Sequence, residues 1–441
     1  MSLRWIPAAV ALCAAVVAPL RAQQDSVSRG VRVTLVYDPG LMPGVVVLPV
    51  PGPTGDSIQA IVQRDLGFGN RVRVIVIPDS MAEAIRGKSG AAGDAKPMAY
   101  GVFKALQAVA VVQATNTPHG LHVALYDVAH AKVNTVSEFP LPPDTLSRAW
   151  RLAVHRVSDE VERWVTGVQG IAATRVAYVR DHAIHIVDSD GADDITLPMV
   201  AGGLSPAWNP AANLIAYSTY GEDSRVVVYN LRTGESRAFG AQRNTNVSTP
   251  VFSNDGSRIM YTVAGENGSD LYSATVTGGS VIRVTAGGGT DNSQPSFSPD
   301  GLRIAFTSSR AGPPEIYIMD ADGTNADMFT SYGFDSRNYR SNPDWSPDGL
   351  AIAYQAYVPD GSGVFQLFTM SLRDRVPRQL TSETRNEDPS WAPDGRHLVF
   401  TSGRTGTKEL WVIDTQSGQM RQLTHGGATA RLPAWSPRFV Q

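Results

Sequence analysis

From about residue 170 to the C-terminus the hydrophobic positions alternate over short runs, and the runs repeat. Each unit begins Pro, any residue, an aromatic and a small polar residue, passes a turn, and enters an alternating strand. The copies are Pro206-Ala-Trp208-Asn-Pro210, Pro250-Val-Phe252-Ser-Asn254-Asp255-Gly256, Pro295-Ser-Phe297-Ser-Pro299-Asp300-Gly301, Pro343-Asp-Trp345-Ser-Pro347-Asp348-Gly349, Pro389-Ser-Trp391-Ala-Pro393-Asp394-Gly395 and Pro433-Ala-Trp435-Ser-Pro437. Their prolines stand 44, 45, 48, 46 and 44 residues apart. That period is what four short strands and their turns require in one blade of a β-propeller. The Pro is expected to open a strand, where its missing N–H is tolerated. The aromatic is expected to fill the wedge between blades. Asp-Gly makes the tight turn, since Gly takes positive φ without steric cost. Strands such as Ile304-Ala-Phe306 and Ile316-Tyr-Ile318-Met-Asp320 follow. A second Gly turn, as at Asp322-Gly323, leads to an outer strand ending in Leu-Thr, as at Leu423-Thr424.

The ends of the array complement each other. Arg175-Val-Ala-Tyr178, Ile184-His-Ile186-Val-Asp188 and Asp190-Gly191 read as a blade lacking its first strand, and Pro433 to Pro437 as a first strand with nothing after it. The C-terminal strand should therefore close a six-bladed ring over residues 169–441, which removes exposed sheet edges. Residues 23–168 carry no such repeat. Strands are expected at 31–36, 45–50, 72–77, 109–113, 121–126 and 133–137, and helices at 56–66, 100–108 and 146–165. In the last helix Leu146, Trp150, Ala153, Val157, Val161 and Trp164 recur at helical spacing, with Asp144 as the expected N-cap. The fold class is thus a small α/β domain followed by an all-β six-bladed propeller.

Composition changes this picture little. Charged residues are 18% and hydrophobic ones 42%, which suits packed cores. The net charge is −3 with both signs interspersed, so nothing resembles a nucleic-acid-binding stripe. Residues 1–22 read as a signal peptide: Arg4 leads, Ile6 to Leu20 are apolar, and Ala22 precedes the expected cleavage. Its removal takes the formal charge to −5, since Arg4 and Arg21 leave. The sole cysteine, Cys13, lies in that segment after Leu12, a poor context for lipid attachment. The mature chain then has no cysteine for a disulfide or thiolate chemistry. No later apolar run suits a membrane span.

Candidate chemistry is sparse. Gly87-Lys88-Ser89 hints at a phosphate loop, but Ala82 stands where that motif needs Gly. His119/His122 and His182/His185 are spaced i, i+3 in strand or turn context, which points them to opposite faces. The Asp-Gly turns lack the rest of a calcium loop. The rival class is a propeller-bearing hydrolase or lyase acting on peptides or oligosaccharides. It would need a G-x-S-x-G elbow or a channel cluster of His and carboxylates, and neither is legible. No catalytic, cofactor-binding or metal-ligating residue is therefore expected, and the chain reads as a monomeric protein-binding module.

Blade topology separates two faces: both Asp-Gly turns share one, and the remaining connections share the other. The second face gathers Arg243, Asn244, Asn246, Thr249, Asp291, Asn292, Ser293, Asn338, Tyr339, Asn386 and Arg431, a composition suited to protein recognition. At the other end of the chain, Val31, Val33, Leu35 and Tyr37 alternate with polar residues, a pattern suited to adding a strand to a sheet edge or to packing back on its own domain.

Taken together the residues resemble the TolB family. The similarity rests on Val31-Arg-Val-Thr34 with Val45-Val-Val-Leu-Pro49, on Ile58 to Leu66, and on Gly120-Leu-His-Val-Ala-Leu-Tyr-Asp127. Ala153 to Gly167 with Thr174-Arg-Val-Ala-Tyr178 matches the junction, and Leu432-Pro-Ala-Trp-Ser-Pro437 the closing strand. Asn209, Asn254 and Ala211-Ala212 depart from the repeat, and residues 85–96 from the α/β part. The resemblance implies a periplasmic component of the Tol-Pal system that links the inner-membrane protein TolA to the peptidoglycan-associated lipoprotein Pal, without a cofactor. It places Pal at the second face, with Asn246, Thr249 and Ser293 on the loops that carry it, and TolA at residues 23–39.

Overall fold

In the computed structural model, the alternating valines of β1 (Gly44–Val47) form a strand buried on both faces. The structure describes residues 35, 41–78, 80–82, 98–198, 202–221, 224–240, 244–286, 289–330, 339–359 and 363–439. The expected signal segment, the expected strand over 31–36 apart from Leu35, and the Gly87-Lys88-Ser89 run lie outside them. Strand β1 pairs in parallel with β2 (Arg73–Val74) and β3 (Ala110–Thr117). Strands β4 (Gly120–Asp127) and β5 (Lys132–Pro140) continue antiparallel, giving the order β2-β1-β3-β4-β5.

Period-2 alternation divides β1 between two layers. Val45 and Val47 pack with α1 (Gly55–Phe68) and α3 (Arg148–Thr166), while Val46 and Leu48 pack with Phe103 of α2 (Tyr100–Ala105). Sequence expectation extended β2 to Ile77, but Val76 is 71% exposed and only two residues hold the ladder. Helix α3 begins later than Leu146, which is 93% exposed, and its N-cap is Ser147, whose Oγ accepts the Trp150 N–H at 3.2 Å. Asp144 instead organises the turn before it, accepting the Leu146 N–H at 3.0 Å. Gly167, at φ 79°, ends the helix in the left-handed conformation that L side chains resist.

Six four-stranded antiparallel sheets follow, and residues 34–441 cluster as one body. Blade 1 spans Gly203–Phe239, blade 2 Asn246–Arg283, blade 3 Asn292–Met328, blade 4 Arg340–Gln379 and blade 5 Asn386–Gln422. Blade 6 is composite: the strand Ala430–Trp435 pairs with Arg175–Arg180, followed by Ala183–Asp188 and Ile195–Thr196. Trp435, 6% exposed, fills the wedge between blades 5 and 6 with Ala392, Val399, Leu410 and Val176, and its indole donates to Thr174 Oγ1 at 2.8 Å.

The repeat letters each make a bond. In blades 2, 3 and 4 the Ser after the aromatic (Ser253, Ser298, Ser346) donates to the turn Asp at 2.5–2.6 Å and accepts the N–H that starts the next strand. In blade 1 Asn209 does the same work, its Oδ1 accepting the Asn213 and Leu214 N–H groups, so its departure from the pattern is compensated. The Thr that ends the outer strand, after Leu in two blades and after Val284 or Phe329 in two others (Thr285, Thr330, Thr381, Thr424), accepts a third-strand N–H and donates to Asp270, Glu315, Gln366 or Glu409.

The prolines do not open their strands, as the sequence had suggested. Each lies inside the innermost strand, at a β-bulge, behind a residue of positive φ: Ser205 (48°), Thr249 (46°), Gln294 (56°), Asn342 (53°), Asp388 (55°) and Leu432 (53°). Such a conformation costs an L residue about 1–2 kcal/mol, and the missing Pro N–H is harmless where the ladder is already broken. Neighbouring blades hold the bulge: Gln294 N–H donates to Thr262 Oγ1 (3.2 Å), Asn342 N–H to Gln294 Oε1 (3.0 Å) and Asp388 N–H to Gln355 Oε1 (2.9 Å).

Truncation after Thr429 should test the closure. Loss of a buried Trp alone costs about 3–5 kcal/mol, against about 5–15 kcal/mol for a whole domain. Thermal unfolding of the truncated chain should therefore show a much lower Tm and aggregation through the bared strand Arg175–Arg180. An equally stable monomer would mean that the ring closes another way.

Candidate protein-binding face

The bulges set the geometry of the propeller's centre. The six prolines and their neighbours surround a cavity of about 180 Å³ on the axis. Burial pushes the carboxyls of Asp344 and Asp388, both at this centre, up to about 6. Asp388 accepts from the Asn342 side chain at 2.7 Å, and Asp344 accepts the Trp391 N–H at 2.7 Å, so both serve as blade-to-blade links.

The α/β domain meets the propeller on the Asp-Gly-turn face. Arg64 and Arg151 reach Asp190, Arg71 reaches Asp394 at 3.1 Å, and Arg396 donates to the Asn70 carbonyl at 2.9 Å. Among the described residues, these inter-domain bonds leave the opposite mouth uncovered. Two arginines there lie against aromatic rings of their own blades. Arg310 sits over Phe306 and Tyr317 (5.2 and 4.8 Å), and Arg404 over Trp411 (4.5 Å). Tyr339, 42% exposed, meets Phe365 edge-on at 5.3 Å, with Arg385 above the same ring. Tyr220, 43% exposed, accepts from Arg431 at 2.9 Å and meets His182 edge-on.

The sequence-predicted residues divide. Asn244, Asn246 and Asp291 are exposed, and Ser293 and Arg431 are partly so. Thr249 belongs to the bulge, its hydroxyl 2.8 Å from Thr262 Oγ1. Asn292 and Asn386, expected on the exposed mouth, are instead fully buried. Asn292 bonds Asp270, Ser308 and Arg310, and Asn386 bonds Gln366 Oε1 (2.9 Å) and the Glu383 carbonyl (2.7 Å), which ties each inner strand to the preceding blade. Their polarity signalled surface, but it satisfies buried neighbours. Arg243 and Asn338 lie outside the described residues, as do Val31, Val33 and Tyr37. Leu35 is 3% exposed in the α/β core, so it packs back rather than offering a strand edge. Sequence reading missed Tyr220 and the stacked arginines. The recurrence Thr307-Ser-Ser-Arg310 and Thr401-Ser-Gly-Arg404 was the available signal.

The His pairs expected to be unsuited to metal have other partners. His122 faces Glu138 at 2.6 Å, and His185 faces Asp194 at 3.2 Å. A trio the sequence did not suggest, Asp65, His155 and Asp190, converges at the domain contact. Arg64 and Arg151 both pair with Asp190, so the trio belongs to an ion-pair network at the domain contact.

Asn386→Ala should lower unfolding stability by about 1–3 kcal/mol, because it strands buried acceptors. A denaturation midpoint matching the unaltered chain would return Asn386 to the recognition set.

A family model described as the TolB beta propeller domain matches residues 162–439. The Tol-Pal system protein TolB of Actinobacillus succinogenes is 29% identical over 229 residues, 49% of this chain and 52% of that protein. The match thus spans about half of that relative's length. Among solved structures, TolB from Acinetobacter baumannii aligns with a TM-score of 0.74 at 25% identity, covering 90% of this chain and 97% of that one. A chain of the nidogen/laminin complex aligns at 0.51 with 11% identity, over 60% of this chain and 98% of its own, a likeness of fold alone.

Proposed function

The chain belongs to the TolB family, and from that premise we propose that it is an exported, periplasmic protein-binding component of a Tol-Pal system. Its open mouth receives a Pal-like lipoprotein, and residues 23–39 meet a TolA-like protein of the inner membrane. The observation that carries the reading is the division of labour between the two propeller faces. The α/β domain occupies the turn face, while the mouth presents Tyr220, Tyr339, Arg431, Asn244 and Asn246 to solvent or at its border. Tyr and Arg anchors amid adaptable amides are the composition of protein-recognition surfaces. The likeness to the Acinetobacter baumannii TolB extends over both parts of the chain and supports the same reading. The role is one of binding rather than catalysis.

The test is a binding titration of the mature chain against the soluble domain of a Pal-like lipoprotein from the same cell. Asn246→Glu combined with Ser293→Glu should weaken capture at least about tenfold, or 1.4 kcal/mol, with Tm unchanged. Unaltered affinity would remove this face from the account. Turnover of an oligosaccharide or peptide by the intact chain would replace the binding role with a catalytic one. For the second partner, Val31→Asp with Val33→Asp should abolish TolA-like binding while leaving Leu35 in the core. Retained binding would exclude the segment.

A further inference from the structure

The contact between the α/β domain and the propeller is dominated by charged side chains, with Arg421 of blade 5 also lying over the Phe68 ring of α1 at 4.2 Å. Among the described residues, the hydrophobic clusters of the mixed sheet and those of the blades share no member. Helix α3 turns one stripe, Trp150, Val154, Val157, Val161 and Val165, onto the sheet. A second stripe, the buried His155, Ser158, Asp159 and Glu162 with half-buried Arg151, lies against α1 and the turn face.

His155 is at the centre of that stripe, its side chain 1% exposed. Its Nδ1 is 2.7 Å from Asp65 Oδ2 on α1, and its Nε2 is 3.7 Å from Asp190 and 4.0 Å from Asp188 on the propeller. A neutral imidazole has one N–H and one lone pair. A neutral ring donating from Nδ1 to Asp65 would accept at Nε2 from Arg151 Nη2, 3.5 Å away, and carry no charge toward the propeller, whereas the doubly protonated ring is attracted to Asp188 and Asp190 as well as to Asp65. We propose that this contact is a proton-operated joint, closed by protonated His155 bridging Asp65 to Asp188 and Asp190, and loosened when that proton leaves.

The groups facing His155 are Asp65 and Arg64 from α1, Arg151 from its own helix, Asp188, Asp190 and Arg175 from blade 6, and Arg421 from blade 5. Burial works to depress the imidazole, but the Asp65, Asp190 and Asp188 carboxylates outweigh it and hold it above its ordinary value. The same helix carries two further groups that favour the proton. Burial pushes Glu162 up to about 8 despite Arg71 at 3.2 Å, and Asp159 up to about 7 although it accepts the Ala172 and Ala173 N–H groups. Asp394 and Arg396 of blade 5 face Glu162, and Arg438 faces Asp159. For all three groups the value in this docked arrangement lies above the ordinary one; for His155 the first raising cause is Asp65 of its own domain, and Asp190 and Asp188 of the propeller add the part that docking supplies. Their contribution is therefore complete below the free value and disappears as pH rises through the docked one. Asp190 and Asp394 are lowered, so their contribution fails only in stronger acid, below the ordinary carboxylate range. From mild acid to mild alkali, every change loosens the joint.

The test measures the distance between spin labels at Lys104→Cys and Thr324→Cys, in a Cys13→Ser background of the full chain, from about pH 5.5 to about pH 9. One narrow distance is expected in acid. A separated population should grow by about tenfold toward alkali, the yield of one pKa unit of differential proton affinity. His155→Gln should show that population already in acid, with most of the pH dependence gone. Glu162→Gln should move the transition to higher pH, and it decides the matter if the His155 variant does not fold. A distribution unchanged across the range overturns the joint. So does a wild-type profile in His155→Gln, or an unshifted one in Glu162→Gln.

Discussion

The strand Ala430–Trp435 hydrogen-bonds to Arg175–Arg180 across more than half the length of the chain, and the rest of the propeller depends on that pairing. An open array of blades would end in two bare sheet edges and two half-filled wedges. Joined, the ends make the sixth blade, seal Trp435 against blades 5 and 6, and bring Ser436 onto the backbone of Arg175 at 2.9 Å. Closure fixes the inner circumference. Around it each inner strand bulges at its pre-proline residue, where six L residues accept positive φ. At Gln294, Asn342 and Asp388 the N–H of the strained residue finds an acceptor in the neighbouring blade, which helps to hold the conformation.

A closed ring has two faces, and this protein uses them differently. The turn face presents short Asp-Gly loops whose carboxylates meet the arginines of the α/β domain. The mouth carries longer connections, with tyrosines and arginines that pack on one another instead of on a second domain. The arrangement separates an internal contact, built largely from charge, from a surface that remains available.

Much of this was legible because the repeat letters act locally. Asp-Gly, the Ser before it and the Leu-Thr ending each make bonds within a few residues or to an adjacent strand, so their recurrence gave the blade count and the closing strand. What stayed hidden depends on neighbours distant in sequence. Nothing local distinguishes Asn386, sealed against blade 4, from Asn246, which is exposed. The polar face of α3 reads as a solvated face until the turn face covers it. The missing N–H of Pro suits a strand start, but the bulge gives the same tolerance mid-strand. Leu35 fitted an alternating edge strand equally well, and only the core shows where it packs.

The central claim is that the mouth, and not the turn face, is where another protein binds. Hydrogen–deuterium exchange of the intact mature chain, with and without the soluble domain of the Pal-like lipoprotein, addresses it most directly. The account predicts new protection at residues 244–249, 289–293 and 428–432, with the turns at 253–257 and 298–303 unchanged. Protection confined to those turns, or no difference anywhere at saturating partner, would contradict it.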